Sequence, residues 1–377
     1  LKAYKGFELL NDRCKNIFNI IQKNGPKTKN ELIDLTQIKL TTLNRELKTL
    51  FNEKIIVESH IGESTGGRKP SLYDVNQEEF YVVGIDISRT YTKIVVVNLK
   101  LEIISERLLS HDYNMENVDE TIPSVINDLF SKLEIENSFI VGIGIGIVGG
   151  FNVTSLYYEL TMEFDTRVYI DNGVNAAVIG EYNFGIGKGK KNISYINCGV
   201  GIRTGIISSG VLIRTINNVE DAFGHMIVEA NGQQCSCGNL GCIEGYVSIL
   251  NITDKFISSM KEINPLGLNK DLNNINYRDV CSLAENNNKV AMNIIKEAAS
   301  YFGIGLSNYI KLFNPELIIL SGPLIQHSKL FYDIAKETAM EKCHIKNNYI
   351  EFSNGGEFDD NSIAIGACAI VLEEVLN

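Results

Sequence analysis

No run of about eighteen apolar residues occurs anywhere in the 377-residue chain, so no membrane span is indicated. Leu1 to Leu10 also lack the basic, apolar and small-residue layout of a signal peptide. The chain begins at Leu1 rather than Met, as a trimmed or processed chain does, and a cytoplasmic protein is the expectation. A secreted disulfide framework is missing too. Of the eight cysteines, Cys14, Cys198, Cys281, Cys343 and Cys368 are scattered, whereas Cys235, Cys237 and Cys242 sit together. In a reducing compartment such a cluster signals metal more often than disulfide. What is present is an ordinary globular balance, 44% apolar and 21% charged, over a length that calls for two or three domains. The net charge of −11 is unevenly spread. Leu1 to Val75 carry 13 Lys+Arg against 9 Asp+Glu, which leaves the remainder strongly acidic. A basic head on an acidic body directs any polyanion to the head.

The head, residues 1–77, reads as a winged helix-turn-helix. A first helix is predicted from Asp12 to Lys23, with Ile17, Ile20 and Ile21 at helical spacing and Asn24-Gly25-Pro26 as its stop. Thr28-Lys29-Asn30-Glu31 fits a capping box that opens a short second helix, Lys29 to Leu35. After the Thr36-Gln37-Ile38 turn, a third helix runs from Lys39 to Asn52, with Leu40, Leu43, Leu47 and Leu50 on its apolar face. Thr41, Thr42, Asn44, Arg45, Lys48 and Thr49 lie off that stripe. Hydroxyls, an amide, a guanidinium and an ammonium are what reading of a DNA groove requires. Ile55 to Val57 and Leu72 to Val75 are predicted as the strands of a wing. Its tip, Gly62 to Pro70, carries Arg68 and Lys69, suited to a phosphate backbone or a narrow minor groove. Each part alone fits a solvated bundle; their order favours DNA binding over a protein-interaction module.

The body reads as α/β. Tyr81 to Asp86 is an apolar strand ending on a carboxylate, Tyr91 to Leu99 and Leu101 to Leu109 are further strands, and Val118 to Leu133 is a helix. Phe139 to Val148 is a buried, glycine-rich strand; Val168 to Ile170 and a helix from Asn172 to Tyr182 follow. The strand–turn–strand element then restarts at Ile193 to Cys198, Gly199-Val200-Gly201 and Ile202 to Ser208. This repeat predicts two similar lobes with a cleft between them, a first at 78–190 completed by a closing helix at 361–377, and a second at 191–360. An apolar helix from Ala298 to Phe313 leads to a strand at Leu317 to Leu320. In the second lobe, His225 with Cys235, Cys237 and Cys242 offers the four ligands of tetrahedral zinc. Gly238 and Gly241 let the chain curl around the ion, and with all four positions filled the zinc is structural. The bland alternative is three buried thiols and a core histidine.

Taken together these residues resemble the ROK family of repressors and sugar kinases, over nearly the whole chain. Val141-Gly142-Ile143-Gly144-Ile145-Gly146 looks like its buried glycine strand, and Asp171-Asn172-Gly173-Val174-Asn175-Ala176-Ala177 like the helix start that binds sugar. Gly224-His225, the three cysteines and Glu244 look like its zinc signature, the most specific match. The resemblance implies a duplicated actin-like (ribonuclease H-like) ATPase-type body, a repressor-branch head, structural zinc, and Asn172, His225 and Glu244 as ligand-binding residues. It also marks departures. Gly173 stands where the kinases carry the proton-accepting carboxylate. Ile87-Ser88-Arg89-Thr90 and Gly199-Val200-Gly201 replace their phosphate loops. Ala222 replaces a ligand-binding Glu, and the stretch Phe151 to Arg167 is short for the family. Asp86 is then a capping or structural carboxylate.

The leading expectation is therefore a DNA-binding regulator, a repressor acting as a dimer or tetramer on a double-stranded operator. Its effector would be a sugar or sugar phosphate in the cleft, and it would have no kinase activity and no catalytic residues. Two alternatives stay open: an ATP-dependent sugar kinase with an accessory head, and a regulator that has lost small-molecule sensing.

Overall fold

A computed structural model describes residues 6–59, 71–110, 118–149, 151–214, 222–263, 272, 274–344 and 349–376. They form two compact units, Leu1–Phe184 with Ile363–Asn377, and Gly185–Ser362.

In the first unit, helices Asp12–Asn24, Lys29–Thr36 and Leu40–Asn52 build the head. The capping box forms as the sequence requires. The Glu31 N–H donates to Thr28 Oγ1 (3.3 Å) and the Thr28 N–H to Glu31 Oε2 (2.7 Å), and these bonds hold the Glu31 carboxyl below its ordinary range. Ile17, Phe18, Ile21, Leu32, Leu43, Leu47 and Leu50 make the small core, with Phe7 edge-on to Phe18 at 5.2 Å. Leu40 departs from the predicted stripe. It is the first residue of its helix, half exposed at 50%, because the core ends one turn later at Leu43. Strands Ile56–Ser59 and Leu72–Val75 pair antiparallel, with Ile56 opposite Val75. A third, unforeseen strand, Lys27–Thr28, adds to the other edge of Leu72–Val75. Residues 60–70, including Arg68 and Lys69 of the expected tip, lie outside the described residues.

The head is tied to the sheet and helices of its own unit at the last turn of its first helix. Gln22 Nε2 donates to the Leu99 carbonyl (2.6 Å), and Lys23 Nζ to Asn183 Oδ1 (2.7 Å). Asn183 in turn donates through Nδ2 to Glu373 Oε1 (2.7 Å). Burial lowers the affinity of Lys23 for its proton and raises that of Glu373.

The rest of the first unit is a five-stranded sheet in the order Ile103–Ser110, Tyr91–Asn98, Tyr81–Ile87, Ile140–Ile147, Val168–Asn172. The first two pairings are antiparallel and the last two parallel. The second unit repeats that plan with Val211–Ile213, Ile202–Ser208, Ile193–Cys198, Leu317–Ser321 and Glu351–Asn354, again antiparallel twice and parallel twice. Two sheets of identical order and sense are the structural form of the internal repeat. Its helices Lys289–Phe313 and Lys329–Cys343 pack through Phe302 and Phe331, ring centroids 5.5 Å apart. The first of these starts nine residues before Ala298, capped by Asn288, whose side chain accepts from Val290 and Ala291. The short stretch after Gly150 holds an eleven-residue helix, Thr154–Phe164.

The glycine strand owes its composition to the closing helix, Ser362–Leu376. A Cβ on Gly142 would stand 2.6 Å from Val371 Cγ1, one on Gly144 2.1 Å from the Ala367 carbonyl oxygen, and one on Gly146 2.6 Å from Ile363 Cγ2. Glycines two apart on the strand thus meet residues four apart on the helix. The period of a strand face matches one turn of helix, and only hydrogen at each site allows that approach.

Candidate functional site

The helix Leu40–Asn52 leaves Thr41, Asn44, Arg45 and Lys48 exposed and Thr42 half-buried, while Leu43, Leu47 and Leu50 are buried. Its polar face is therefore open along two turns. Sequence reasoning missed Glu46, 1% exposed on the same helix. Its Oε2 accepts from Asn11 Nδ2 (2.8 Å) and faces Cys14 Sγ (3.2 Å), while Oε1 accepts from Arg45 Nη2 (2.7 Å). Glu46 pins the helix to the start of the first one and holds the Arg45 guanidinium at the surface, where the side chain is 69% exposed.

In the second unit, His225, Cys235, Cys237 and Cys242 place their ligand atoms within 4.8 Å of one another. Cys235 Sγ lies 3.6 Å from His225 Nδ1 and Cys237 Sγ 3.7 Å from Cys242 Sγ. The loop closes on itself: the Cys235 N–H donates to the Asn239 carbonyl (2.8 Å) and the Gly241 N–H to that of Gln233 (2.7 Å). Gly238 and Gly241 both take positive φ, 94° and 75°, and a Cβ on Gly241 would fall 1.6 Å from the Glu229 carbonyl oxygen. A backbone N–H at Asn239 holds the Cys237 thiol below its usual range, whereas burial pushes Cys242 up to about 12. Three sulfurs and an imidazole at this spacing are a donor set that fits a tetrahedral metal ion. Glu229 anchors the loop to the long helix. Its Oε2 accepts from Tyr246 OH (2.5 Å) and Tyr301 OH (2.8 Å), whose rings stack 3.8 Å apart.

Of the expected ligand-binding residues, Asn172 belongs to the first unit, and His225 and Glu244 to the second. Asn172 caps the helix Gly173–Asn183 through Oδ1, which accepts from the Val174 N–H (3.0 Å), and its Nδ2 bonds no described residue. Gly173, directly after it, is buried against Val148 and Ile363; an added Cβ would stand 2.6 Å from Val148 Cγ2. In the second unit the Glu244 N–H donates to the Gly224 carbonyl (2.8 Å), which joins the histidine and carboxylate segments. The Glu244 carboxylate is engaged: Oε2 accepts from the Ile202 N–H (3.0 Å) and Arg203 Nη1 (3.2 Å), and Oε1 from Ser236 Oγ (3.2 Å). Ser236 lies between two cysteines, so the metal-ligand loop and the candidate ligand carboxylate share a hydrogen bond. Ala222 is exposed and adds no carboxylate. Sequence reasoning missed Arg203; the signal was a lone guanidinium in an otherwise apolar and small strand, two residues beyond Gly201.

Asp86 caps no described helix. It lies at the end of Tyr81–Ile87, 1% exposed, with Oδ2 accepting from Tyr91 OH (3.0 Å) and Oδ1 without a partner among the described residues. Burial pushes its carboxyl up to about 7. The folded chain therefore holds this proton more tightly than the unfolded chain does. The stability it confers is complete below the ordinary value of 3.8 and is lost as the pH rises to about 7. Asp86→Asn, which cannot ionise, is expected to gain stability relative to the parent across that window, by at most about 1.4 kcal/mol per pH unit. Urea melts at pH 4.5, 6 and 8 measure it; a gap that does not widen with pH disproves the assignment.

The model of the ROK family matches residues 82–374. The chain belongs to the ROK family. The match covers the body of both units, and full-length relatives extend it through the head. A xylose repressor of Bacillus spizizenii is 28% identical, over 96% of this chain and 95% of its own. The glucokinase of Halalkalibacterium halodurans is 27% identical but spans only 64% of this ROK chain and 80% of its own. Among solved structures, a ROK family transcriptional regulator described as a homologue of the E. coli MLC protein superposes with a TM-score of 0.79 at 18% identity, over 96% of each chain. A ROK glucokinase from Streptomyces griseus gives 0.65 at 23% identity, over 77% of this chain and 98% of its own. The fold is thus the head-bearing, two-lobed ROK architecture. No helix among the described residues is long and apolar enough to cross a membrane.

Proposed function

We infer that this chain is a DNA-binding transcriptional regulator of the ROK family, a repressor acting in the cytoplasm as a dimer or tetramer on an operator in double-stranded DNA. The observation that carries the reading is the open polar face of Leu40–Asn52, set on a packed three-helix head, in a chain that aligns with xylose repressors over 96% of its length. Thr41, Thr42, Asn44, Arg45 and Lys48 contact the groove, and Arg68 and Lys69 the flanking backbone. A sugar-type effector held in the second unit by His225 and Glu244 alters the spacing of the heads. Phosphoryl transfer is absent because Gly173 supplies no base, and a side chain there would press on Val148. The test is purified protein against its own promoter region. Sequence-preferring binding that weakens with salt is the expected result; none at any salt concentration rejects the reading. The kinase alternative draws on Asp86 at the end of the first strand. Sugar-dependent ATP turnover in a coupled assay, abolished by Asp86→Asn, would establish it instead.

Zinc is the ion that the three cysteines and His225 would hold, and its role would be structural, because four protein ligands would leave no position for water. When bound it supplies a cross-link between the His225 segment and the cysteine loop. Elemental analysis is expected to give one zinc per chain, and a strong chelator to lower the melting temperature by several degrees. Cys237→Ser should show the lowered value without chelator. Zinc-free protein of unchanged melting temperature rules this role out.

A further inference from the structure

Arg203 has no task in the reading above, yet it is built into the candidate ligand site. Its side chain is only 18% exposed, and that of Glu244 only 10%. The guanidinium uses one nitrogen for two bonds: Nη1 donates to the Ile202 carbonyl (3.0 Å) and to Glu244 Oε2 (3.2 Å). Nε and Nη2 bond no described residue. A nearby glycine makes the room. A Cβ on Gly201 would stand 2.8 Å from Glu244 Oε2 and 2.9 Å from Arg203 Nη1. Gly201 does not need a positive φ; it is required here by the volume that the ion pair occupies. The ring of His225 turns Nδ1 toward Cys235, which leaves Nε2 as the histidine's second polar atom.

These facts bear on the charge of the ligand. A lone Glu244 would present two acceptors to neutral sugar hydroxyls. Paired with Arg203, its charge is cancelled and both its oxygens already accept hydrogen bonds. Oε1 keeps one acceptor site, and the larger polar capacity left over is that of donors: two guanidinium nitrogens in a fixed fork, the arrangement that matches two oxygens of a carboxylate or phosphate. Such an anion would bind without displacing Glu244, because the guanidinium has five N–H groups and one nitrogen alone serves the existing pair. A neutral sugar would leave those donors poorly matched in a mostly buried position, which costs affinity.

The geometry points to Arg203 as a specificity residue that selects an anionic effector, a sugar bearing a carboxylate or a phosphate. This rests on the reading of His225 and Glu244 as the effector site. The test titrates the full-length, zinc-replete protein by calorimetry with D-glucose, D-xylose, D-glucuronate, D-glucose 6-phosphate and inorganic phosphate. At least one acidic sugar is expected to bind about tenfold or more tightly than its neutral parent, on the strength of charge-assisted bonding. Glucuronate and glucose 6-phosphate distinguish a carboxylate from a phosphate source. Arg203→Met should remove or reverse that preference, since it frees Glu244 for neutral sugar hydroxyls, and Arg203→Lys should keep only part of it. Equal or tighter binding of the neutral sugars overturns the proposal, as does a preference that Arg203→Met leaves intact. So does inorganic phosphate that binds as well as the sugar phosphate. Protein that binds its operator yet takes none of the five compounds overturns it as well, and leaves the DNA-binding reading standing.

Discussion

Gly144→Val is expected to yield a first unit that fails to fold, or one destabilised by more than about 3 kcal/mol, the upper range for overpacking. A Cβ there meets the Ala367 carbonyl oxygen at 2.1 Å, its carbon at 2.5 Å and its Cα at 3.1 Å. These are main-chain atoms of the closing helix, so no rotamer change relieves the collision. The helix must lift off the sheet, and the contacts at Gly84 and Gly146 would open with it. Gly142 offers a contrast, because its nearest obstacle is the Val371 side chain at 2.6 Å. Val371→Ala should therefore recover most of the loss in Gly142→Ala, whereas Ala367→Gly should recover almost nothing in Gly144→Ala. A double-mutant cycle by chemical denaturation reads both. Equal rescue at the two sites would mean that the packing is not as described.

Arg45→Ala is expected to weaken operator binding by about tenfold or more, and Lys48→Ala to lower the salt slope by about one while weakening all sequences alike. The two differ because a guanidinium reads a guanine edge with paired bonds, while an ammonium acts as a point charge on phosphate. Arg45 is tied to Glu46 in the free chain, but the guanidinium end of that pair is exposed, and the buried Glu46 carboxylate keeps Asn11 as a donor, so the guanidinium can turn to a base edge. Arg45→Ala takes one partner from a buried carboxylate and should lower thermal stability modestly, so a melt of each variant separates loss of contact from loss of fold. Fluorescence anisotropy over a salt series measures both quantities. If both variants bind with parental affinity and slope, the exposed face of this helix does not meet DNA.

How far the sequence could be read follows from how local each cause is. The head was legible because its signals lie within a few residues: Thr28 and Glu31 close a capping box, and Gly25-Pro26 stops a helix. The paired sheets were legible through one repeated element, Tyr81–Ile87 with Tyr91–Asn98 against Ile193–Cys198 with Ile202–Ser208. The cysteine cluster announced itself by ligand type and spacing, and the chain brings all four groups together. Gly142, Gly144 and Gly146 were readable as a buried strand, but not the reason for them, since their partners lie more than two hundred residues later in sequence. Leu40 was misplaced because helical spacing gives a face but not where the core along that face ends. Glu46 and Arg203 were passed over because a charged residue at helical or strand spacing reads as solvent-facing until its partner is known, and those partners, Asn11 and Glu244, come from other elements.

The bonds from Gln22 and Lys23 to Leu99, Asn183 and, through Asn183, Glu373 bear on how such proteins can be recombined. Cutting the chain near residue 77 and grafting this head onto another body would strand an ammonium and a carboxamide in a buried seam, with donors and no acceptors. A working graft has to bring along the acceptors at 99, 183 and 373. In this chain the head and the sheet it is bonded to form a matched set, and DNA preference would be altered more cheaply at the exposed face of one helix than by trading the whole head.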